Sequence, residues 1–449
     1  MKKNEDKKDK AKKKIFDLVN GYYKEFHNIN GFVPGKTKIP YSGRVYDSNE
    51  IINLIDSSLD FWLTAGPFAG KLEEKFQKFF NANSFFLVNS GSSANLLITY
   101  ALLSPKLKNR LSLDDEIITP AVTFPTTVAP IVQFGLVPVF VDCEIGTYNL
   151  NPYELEKAIT KNVKAIFIPH TLGNPCEMDI IMEIARKYGL FVLEDSCDAL
   201  GSKYDGRLVG SFGDLASLSF YPAHHITMGE GGGVIVNNPD FEKIVLSLRD
   251  WGRDCWCETG RSNTCGRRFS FQLGDLPFGY DHKYIYSEIG FNFKITDLQA
   301  AIGLAQFDKL EEFISKRKEN FMKYYNGLMK FKEFIDLPRW SPKADPSWFG
   351  FPITVKKGIS RNDLICWLEG KKIETRLLFG GNIIRQPGFK NIKCRIHNNL
   401  NNSDRVMSDT FFIGVYPGLT EEMIEYVIYV FDGFFKKNIV TTKRCNSPE

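Results

Sequence analysis

From about residue 46 to 310 the chain alternates between short apolar runs and amphipathic stretches of helical period. Ile51–Leu63, Gly70–Phe80, Ala94–Leu103, Thr126–Phe134, Pro152–Thr160 and Ile180–Tyr188 place apolar residues three and four apart and read as helices. Between them Ser84–Asn89, Asp115–Thr119, Val137–Val141, Ala165–Pro169, Phe191–Glu194, Leu215–Phe220 and Gly233–Val236 are short apolar runs that read as strands. Strands separated by crossover helices predict an α/β fold with a large, mainly parallel sheet. Ile295–Asn320 reads as long helical structure. Beyond it, strand candidates Phe351–Lys356 and Phe411–Val415 and helix candidates Ser360–Leu368 and Glu421–Phe435 predict a smaller α+β domain. The organisation expected is a basic N-terminal extension (1–45), a large domain (46–310) and a small C-terminal domain (311–449).

Composition adds limits. A chain of 449 residues with 43% hydrophobic and 24% charged residues is that of an ordinary soluble protein. No apolar run is long enough for a membrane span, and the charged N-terminus lacks the apolar region of a secretory signal. Much of the net charge of +4 sits in the first fourteen residues, where lysines at 2, 3, 7, 8, 10, 12, 13 and 14 face acids at 5, 6 and 9. This stretch reads as a solvated, frayed helix start, and no nucleic-acid motif accompanies it. Nine cysteines without a signal peptide predict free thiols in the cytoplasm.

Several motifs fall at strand ends. Gly91-Ser92-Ser93 follows a strand and opens a helix, a place suited to a phosphate, although Ser and Gly also cap helices without a ligand. Asp195 ends the strand Phe191–Glu194, where parallel sheets place ligands; it reads either as an acid facing a pyridine nitrogen or as a loop acid. Phe124 follows another strand and is either a ring-stacking aromatic or core. Residues 219–233 read SFYPAHHITMGEGGG. The glycines there precede a strand rather than opening a helix, which argues against a dinucleotide site. Cys197, Cys255, Cys257 and Cys265 have the spacing C-x57-C-x1-C-x7-C. Four thiolates suit a [2Fe–2S] cluster or zinc, whereas scattered buried thiols are the plainer alternative. His170, after a strand, reads either as a residue that approaches the substrate or, more simply, as a structural hydrogen-bonding residue. Cys143, Cys176, Cys366, Cys394 and Cys445 read as inert thiols.

Together with Trp62–Pro67, Asn89–Ala94, Asn174–Asp179 and Gly290–Gly303, these segments resemble the DegT/DnrJ/EryC1/StrS family of sugar aminotransferases, whose fold is that of the type I pyridoxal enzymes. The family carries a Schiff-base lysine five residues after Ser219. Here that position is His224, which cannot form a stable imine but moves protons near neutral pH. The resemblance narrows to the CDP-6-deoxy-L-threo-D-glycero-4-hexulose 3-dehydrase branch, which uses pyridoxamine phosphate (PMP) and a [2Fe–2S] cluster in 3,6-dideoxysugar synthesis. It implies that Asp195 pairs with the pyridine nitrogen, that Phe124 stacks on the ring, and that Ser92, Ser93 and Ser219 bind phosphate. Asp198 falls near the ring hydroxyl, where relatives often place Gln or His. Asn292 is implied to reach the phosphate of a neighbouring subunit in a homodimer. His224 is the implied base, with His225 or Tyr221 assisting, and Cys197, Cys255, Cys257 and Cys265 the implied cluster ligands. The implied substrate is a nucleotide-linked 4-keto-6-deoxyhexose, CDP favoured, and the implied electron donor an NAD(P)H-dependent iron–sulfur flavin reductase. Three other readings remain: a cluster-free colitose-type dehydratase, transamination through Lys203 or Lys283, and a catalytically inactive homologue.

Overall fold

In the computed structural model, which describes residues 2–27, 31–257 and 260–445, the alternating pattern becomes an eight-stranded sheet. Its spatial order is Ser84–Val88, Gly232–Val236, Leu215–Ser219, Phe191–Asp195, Val163–Pro169, Glu116–Pro120, Val137–Val141 and Arg395–Ile396. Five of the neighbouring pairs are parallel. Gly232–Val236 runs antiparallel to both its neighbours. The predicted α/β architecture with a mainly parallel sheet is therefore what forms.

The strands read as continuous apolar runs because both faces are covered. Ile117, Ala165, Phe167 and Leu193 pack against Leu97, Ile98 and Leu248 on one face. Their sequence neighbours Ile118, Ile166, Ile168 and Val192 pack against Leu155, Ile181 and Ile184 on the other. One consequence positions the site. The carboxyl ends of Glu116–Pro120, Val163–Pro169, Phe191–Asp195 and Leu215–Ser219 all point the same way, and the helix Gly91–Ala101 begins at that same edge. This is the edge at which parallel sheets hold ligands.

A second, antiparallel sheet orders Ile335–Asp336, Gly350–Val355, Thr410–Gly414 and Thr375–Leu377. It packs with the helices Leu310–Leu328 and Glu421–Cys445 around Phe321, Phe351, Val427 and Phe431. Phe321 lies face to face on Trp348 with ring centroids 3.9 Å apart. The segment 383–396 returns from this region to the large sheet. There Arg395 forks onto the Glu116 carboxylate at 2.9 and 2.7 Å and secures the edge strand Arg395–Ile396.

Several elements differ from the sequence reading, among them the unread helices Glu242–Arg249 and Asn401–Asp409 and the short strands Ile335–Asp336, Thr375–Leu377 and Arg395–Ile396. The lysine-rich start is not frayed: one helix runs Lys2–Phe26, because Lys8 and Lys12 pair with Asp56 and Asp60 of the helix Ser48–Asp60. Ile295–Asn320 is two helices, Asp297–Phe307 and Leu310–Leu328. A capping box of Thr296 with Gln299 starts the first, and Lys309, bonded to Glu50, stands at the break. The hairpin Lys203–Tyr204 and Arg207–Leu208 went unread because two-residue strands carry no periodicity. No helix among the described residues is long and apolar enough to cross a membrane.

Phe321 is fully buried in the aromatic stack. Truncating it (Phe321→Ala) is expected to cost about 3–5 kcal/mol of unfolding free energy, read as a lower denaturant midpoint.

Candidate active site

The strand Phe191–Asp195 ends in two buried carboxylates that face opposite sides, as successive strand residues must. Glu194 turns inward. Its oxygens accept hydrogen bonds from the backbone N–H of Gly210, Phe212 and Gly213 at 2.7–2.8 Å, and His170 Nε2 stands 3.0 Å away. The Cys176 N–H donates to His170 Nδ1 at 3.1 Å, so the His170 proton lies on Nε2 and is given to Glu194. Burial opposes ionisation of Glu194, but His170 and the Gly213 and Gly210 amides outweigh it and hold the carboxyl below its ordinary range. His170 is thus the structural residue its sequence context suggested.

Asp195 turns toward a cavity of about 750 Å³. Its Oδ2 accepts from Asn95 Nδ2 at 2.8 Å and Thr127 Oγ1 at 2.7 Å, and its Oδ1 from the Cys197 N–H at 3.2 Å. With a longer contact from Ser217 Oγ at 3.5 Å, a buried carboxylate fixed by four donors is oriented before anything binds. The same cavity is lined by Ser90, Gly91, Ser92, Phe124, Cys197, Asp198, Ser219, Tyr221 and His224. Ser90 caps the helix Gly91–Ala101, accepting from the Ser93 N–H. Gly91 has to be glycine, because a Cβ there would lie 2.6 Å from Ser219 Cβ and 3.1 Å from Cys197 Sγ. Phe124 is half exposed and meets Phe379 edge to face at 6.2 Å.

His224 sits in the loop between the strands Leu215–Ser219 and Gly232–Val236. Its ring lies 5.3 Å from that of Phe349. Its Nδ1 is 3.3 Å from Asp198 Oδ1, close enough for charge attraction, yet the angle makes no hydrogen bond and both Nδ1 and Asp198 Oδ2 are buried without one. From below, the fully buried Arg317 donates to the carbonyls of His224, Trp348 and Phe349. Burial pushes the Arg317 guanidinium down, opposed by the charge of Asp198.

Two of the residues expected at the cofactor stand apart from the cavity lining. Ser93 is buried, its hydroxyl bonded to Ser90. Asn292 is exposed, on an isolated bridge with Asp250. His225 does not assist in the cavity. It is buried, donates Nε2–H to Ser347 O at 2.8 Å, and is held neutral by burial and by Arg317. Neither Lys203 nor Lys283 lines the cavity, and no lysine does among the described residues, so transamination through a displaced lysine has no geometric basis.

The four cysteines are not gathered. Among the described residues no group of three or more His, Cys, Asp or Glu is placed to hold a metal ion. Cys197 lies at the cavity floor, where burial and then the Asp195 carboxylate push its thiol well above the ordinary range. Cys255 and Cys257 neighbour each other on the loop that follows Trp251. Burial raises Cys255, whereas Thr264 overcomes burial and lowers Cys257. Cys265 is exposed. As placed, this set does not fit a [2Fe–2S] cluster. Cys143 and Cys176 are buried free thiols, raised by burial, and the side chain of Cys445 lies outside the described residues.

The family profile described as DegT/DnrJ/EryC1/StrS aminotransferase matches residues 45–432. The chain belongs to this family. It is 51% identical over 430 residues to the lipopolysaccharide biosynthesis protein RfbH of Salmonella typhimurium, covering 95% of this chain and 98% of that one. It is 50% identical over 431 residues to dTDP-4-dehydro-2,6-dideoxy-D-glucose 3-dehydratase of Saccharopolyspora spinosa, covering 95% and 93%. Among solved structures, Escherichia coli GDP-4-keto-6-deoxy-D-mannose-3-dehydratase with bound hydrated PLP superposes with a TM-score of 0.79 at 29% identity, covering 87% and 98%. The fold is that of the pyridoxal-dependent aminotransferases.

The sequence reading missed Ser90, the Asn95 and Thr127 partners of Asp195, Arg317, and the wall contributed by Tyr41, Phe349 and residues 376–389. Asn95 and Thr127 had a readable signal, each lying within two turns of a motif residue. Arg317 and the 376–389 wall had none.

The Glu194 pKa is depressed in the folded state, so its contribution to stability is complete above the unfolded value of about 4.3 and fades as pH falls through the folded value. Glu194→Gln turns an amide N–H₂ toward groups that are all donors and is expected to cost about 2–3 kcal/mol at neutral pH. The difference from the parent protein should shrink below about pH 4.3 in denaturant titrations.

Proposed function

We propose that the chain is a PMP-dependent 3-dehydrase that removes the C3 hydroxyl of a nucleotide-linked 4-keto-6-deoxyhexose. The observation that carries this reading is the placement of His224 in the cavity, beside Asp198 and alongside Asp195, with no lysine in the lining. An ordinary transaminase needs an amine there to capture the cofactor covalently. An imidazole leaves the cofactor free as an amine and supplies a base. The residues fit PMP: a pre-oriented carboxylate for the pyridine nitrogen, an exposed aromatic face at Phe124, and a serine-capped helix start for the phosphate. When bound, PMP supplies an amine that condenses with the 4-keto group and a ring that accepts electrons.

The protein's own groups then act in order. Asp195 holds a proton at the pyridine nitrogen. Phe124 covers the ring, and the Ser90–Ser93 turn with Ser219 fixes the phosphate. His224 would take the proton from the 4′ carbon of the cofactor and return it to the departing C3 hydroxyl, and Tyr221 adds a hydroxyl to the same lining. Arg317 fixes the His224 carbonyl and thereby the loop. We assign the protein to a homodimer in which Asn292 completes the neighbouring subunit's site.

Replacing C3–OH by C3–H consumes two electrons and two protons and releases water. The spacing of Cys197, Cys255, Cys257 and Cys265 supports a [2Fe–2S] cluster as the electron carrier, fed by an NAD(P)H-dependent iron–sulfur flavin reductase. As placed, these cysteines form no metal-holding group among the described residues. Their separation favours a second reading, a cluster-free dehydratase in which PMP would itself supply the two electrons, ending as PLP, and an amino donor would restore the amine. CDP is proposed as the nucleotide by resemblance; the Saccharopolyspora relative is named for a dTDP sugar.

PMP-loaded protein given such a 4-keto sugar should yield a product lacking the C3 oxygen by mass spectrometry. A product that keeps this oxygen and gains nitrogen would overturn the proposal. His224→Asn is expected to retain PMP and to lose about 10²–10⁴-fold in rate. Iron and acid-labile sulfide assayed on protein reconstituted without oxygen separate the two readings: about two of each per chain supports the cluster, and an iron-free protein that still turns over when given an amino donor establishes the second.

A further inference from the structure

The cavity is larger than its cofactor end requires. Beyond Ser90, Asp195 and His224, its lining is completed by Tyr41, Arg376, Phe379, Gln386 and Phe389. At about 750 Å³ it falls within the roughly 300–1,000 Å³ of pockets that enclose a sizeable organic ligand.

The charge of this lining is uneven. It carries the carboxyl groups of Asp195, Asp198 and Glu230, and Arg376 is the one arginine or lysine among its described residues. An anionic ligand entering here meets three acids and one permanent cation. The Arg376 side chain is 44% exposed, and its guanidinium lies over the Tyr41 ring, 4.1 Å from the centroid. One of its N–H groups is committed, Nη1 donating to Thr375 O at 2.7 Å. Its Nη2 stands 3.5 Å from Glu374 Oε1, but Glu374 is already engaged by Lys38 and by the Tyr41 N–H. The guanidinium therefore lies over an aromatic face, lines the cavity, and has donors beyond those given to Thr375 and Glu374. A planar fork matches two phosphate oxygens at once, and stacking reduces the entropy lost when it binds.

We infer that Arg376, backed by Tyr41, is the diphosphate clamp for the nucleotide half of the substrate. The aromatic rings of Phe379 and Phe389 line the same cavity and suit a nucleoside. The phosphate of the cofactor goes to the Ser90–Ser93 turn; the diphosphate goes to Arg376. The inference rests on the nucleotide-linked substrate of the proposed function and adds the residue that recognises it.

The test is calorimetric titration of PMP-loaded protein with CDP, dTDP, GDP and inorganic pyrophosphate, for the parent chain, Arg376→Ala and Arg376→Lys, with PMP content measured on each sample. The expected result is that Arg376→Ala weakens the nucleoside diphosphates about tenfold or more and leaves PMP content unchanged. Arg376→Lys, which keeps the charge and loses the fork, should fall between. Pyrophosphate should bind more weakly than the nucleoside diphosphates and lose affinity in the same variants. Equal nucleoside diphosphate affinity in Arg376→Ala overturns the clamp and leaves the proposed function standing. A matching loss of PMP overturns it as well, since Arg376 would then serve the cofactor. A parent chain that binds no nucleoside diphosphate sinks the nucleotide-linked substrate and the clamp with it.

Discussion

A carboxylate removed from water has to be surrounded by donors or it takes up a proton, and this chain buries two of them side by side at the end of one strand. Glu194 is satisfied by three backbone amides and His170, Asp195 by Asn95, Thr127 and the Cys197 amide. The first set ties the loop 210–213 and the turn after Pro169 to the strand. The second aims an acid into the cavity. Because neighbouring strand residues face opposite ways, the pinned Glu194 fixes the direction of Asp195. The rest of the cavity is built around that direction: the serine-capped helix on one flank, the His224 loop on the other.

The His224 loop shows the same economy in cationic form. Arg317, on a helix of the C-terminal region, spends its guanidinium on three carbonyls, one of them that of His224 itself. Burial and then the Arg317 charge keep the neighbouring His225 neutral, and the charge opposing the desolvation of Arg317 is that of Asp198, which also faces His224. The His224 imidazole, the base of the proposed reaction, is thus held through its backbone while its Nδ1 stays free of a hydrogen bond. That suits a group which must take a proton and give it back.

The cysteines obey a different constraint. A thiol at the cavity floor beside Asp195 is held protonated by burial and by like charge, whereas Cys257 on the loop is eased toward thiolate by Thr264. Proximity in sequence to the acid put Cys197 next to the cofactor end of the cavity. Proximity alone did not bring the loop cysteines to it.

The sequence by itself determined the strands, the edge at which they end, and the residues on the motifs that sit there. Apolar runs of strand length, buried on two faces, have no other stable use, and Ser90–Ser93, Phe124, Asp195, Ser219 and His224 are each within a few residues of such a run. Helix breaks and two-residue strands were not legible, because the Lys309–Glu50 pair reaches far along the chain and strands as short as Lys203–Tyr204 carry no periodicity. Only the tertiary structure decided what faces the motifs. Arg317 under His224, Arg376 over Tyr41 and the wall 376–389 come from segments about a hundred residues or more away, and carry no local periodicity or spacing that marks them. Local pattern fixes which way a side chain points. Which charge or ring it meets there is set by how distant elements pack.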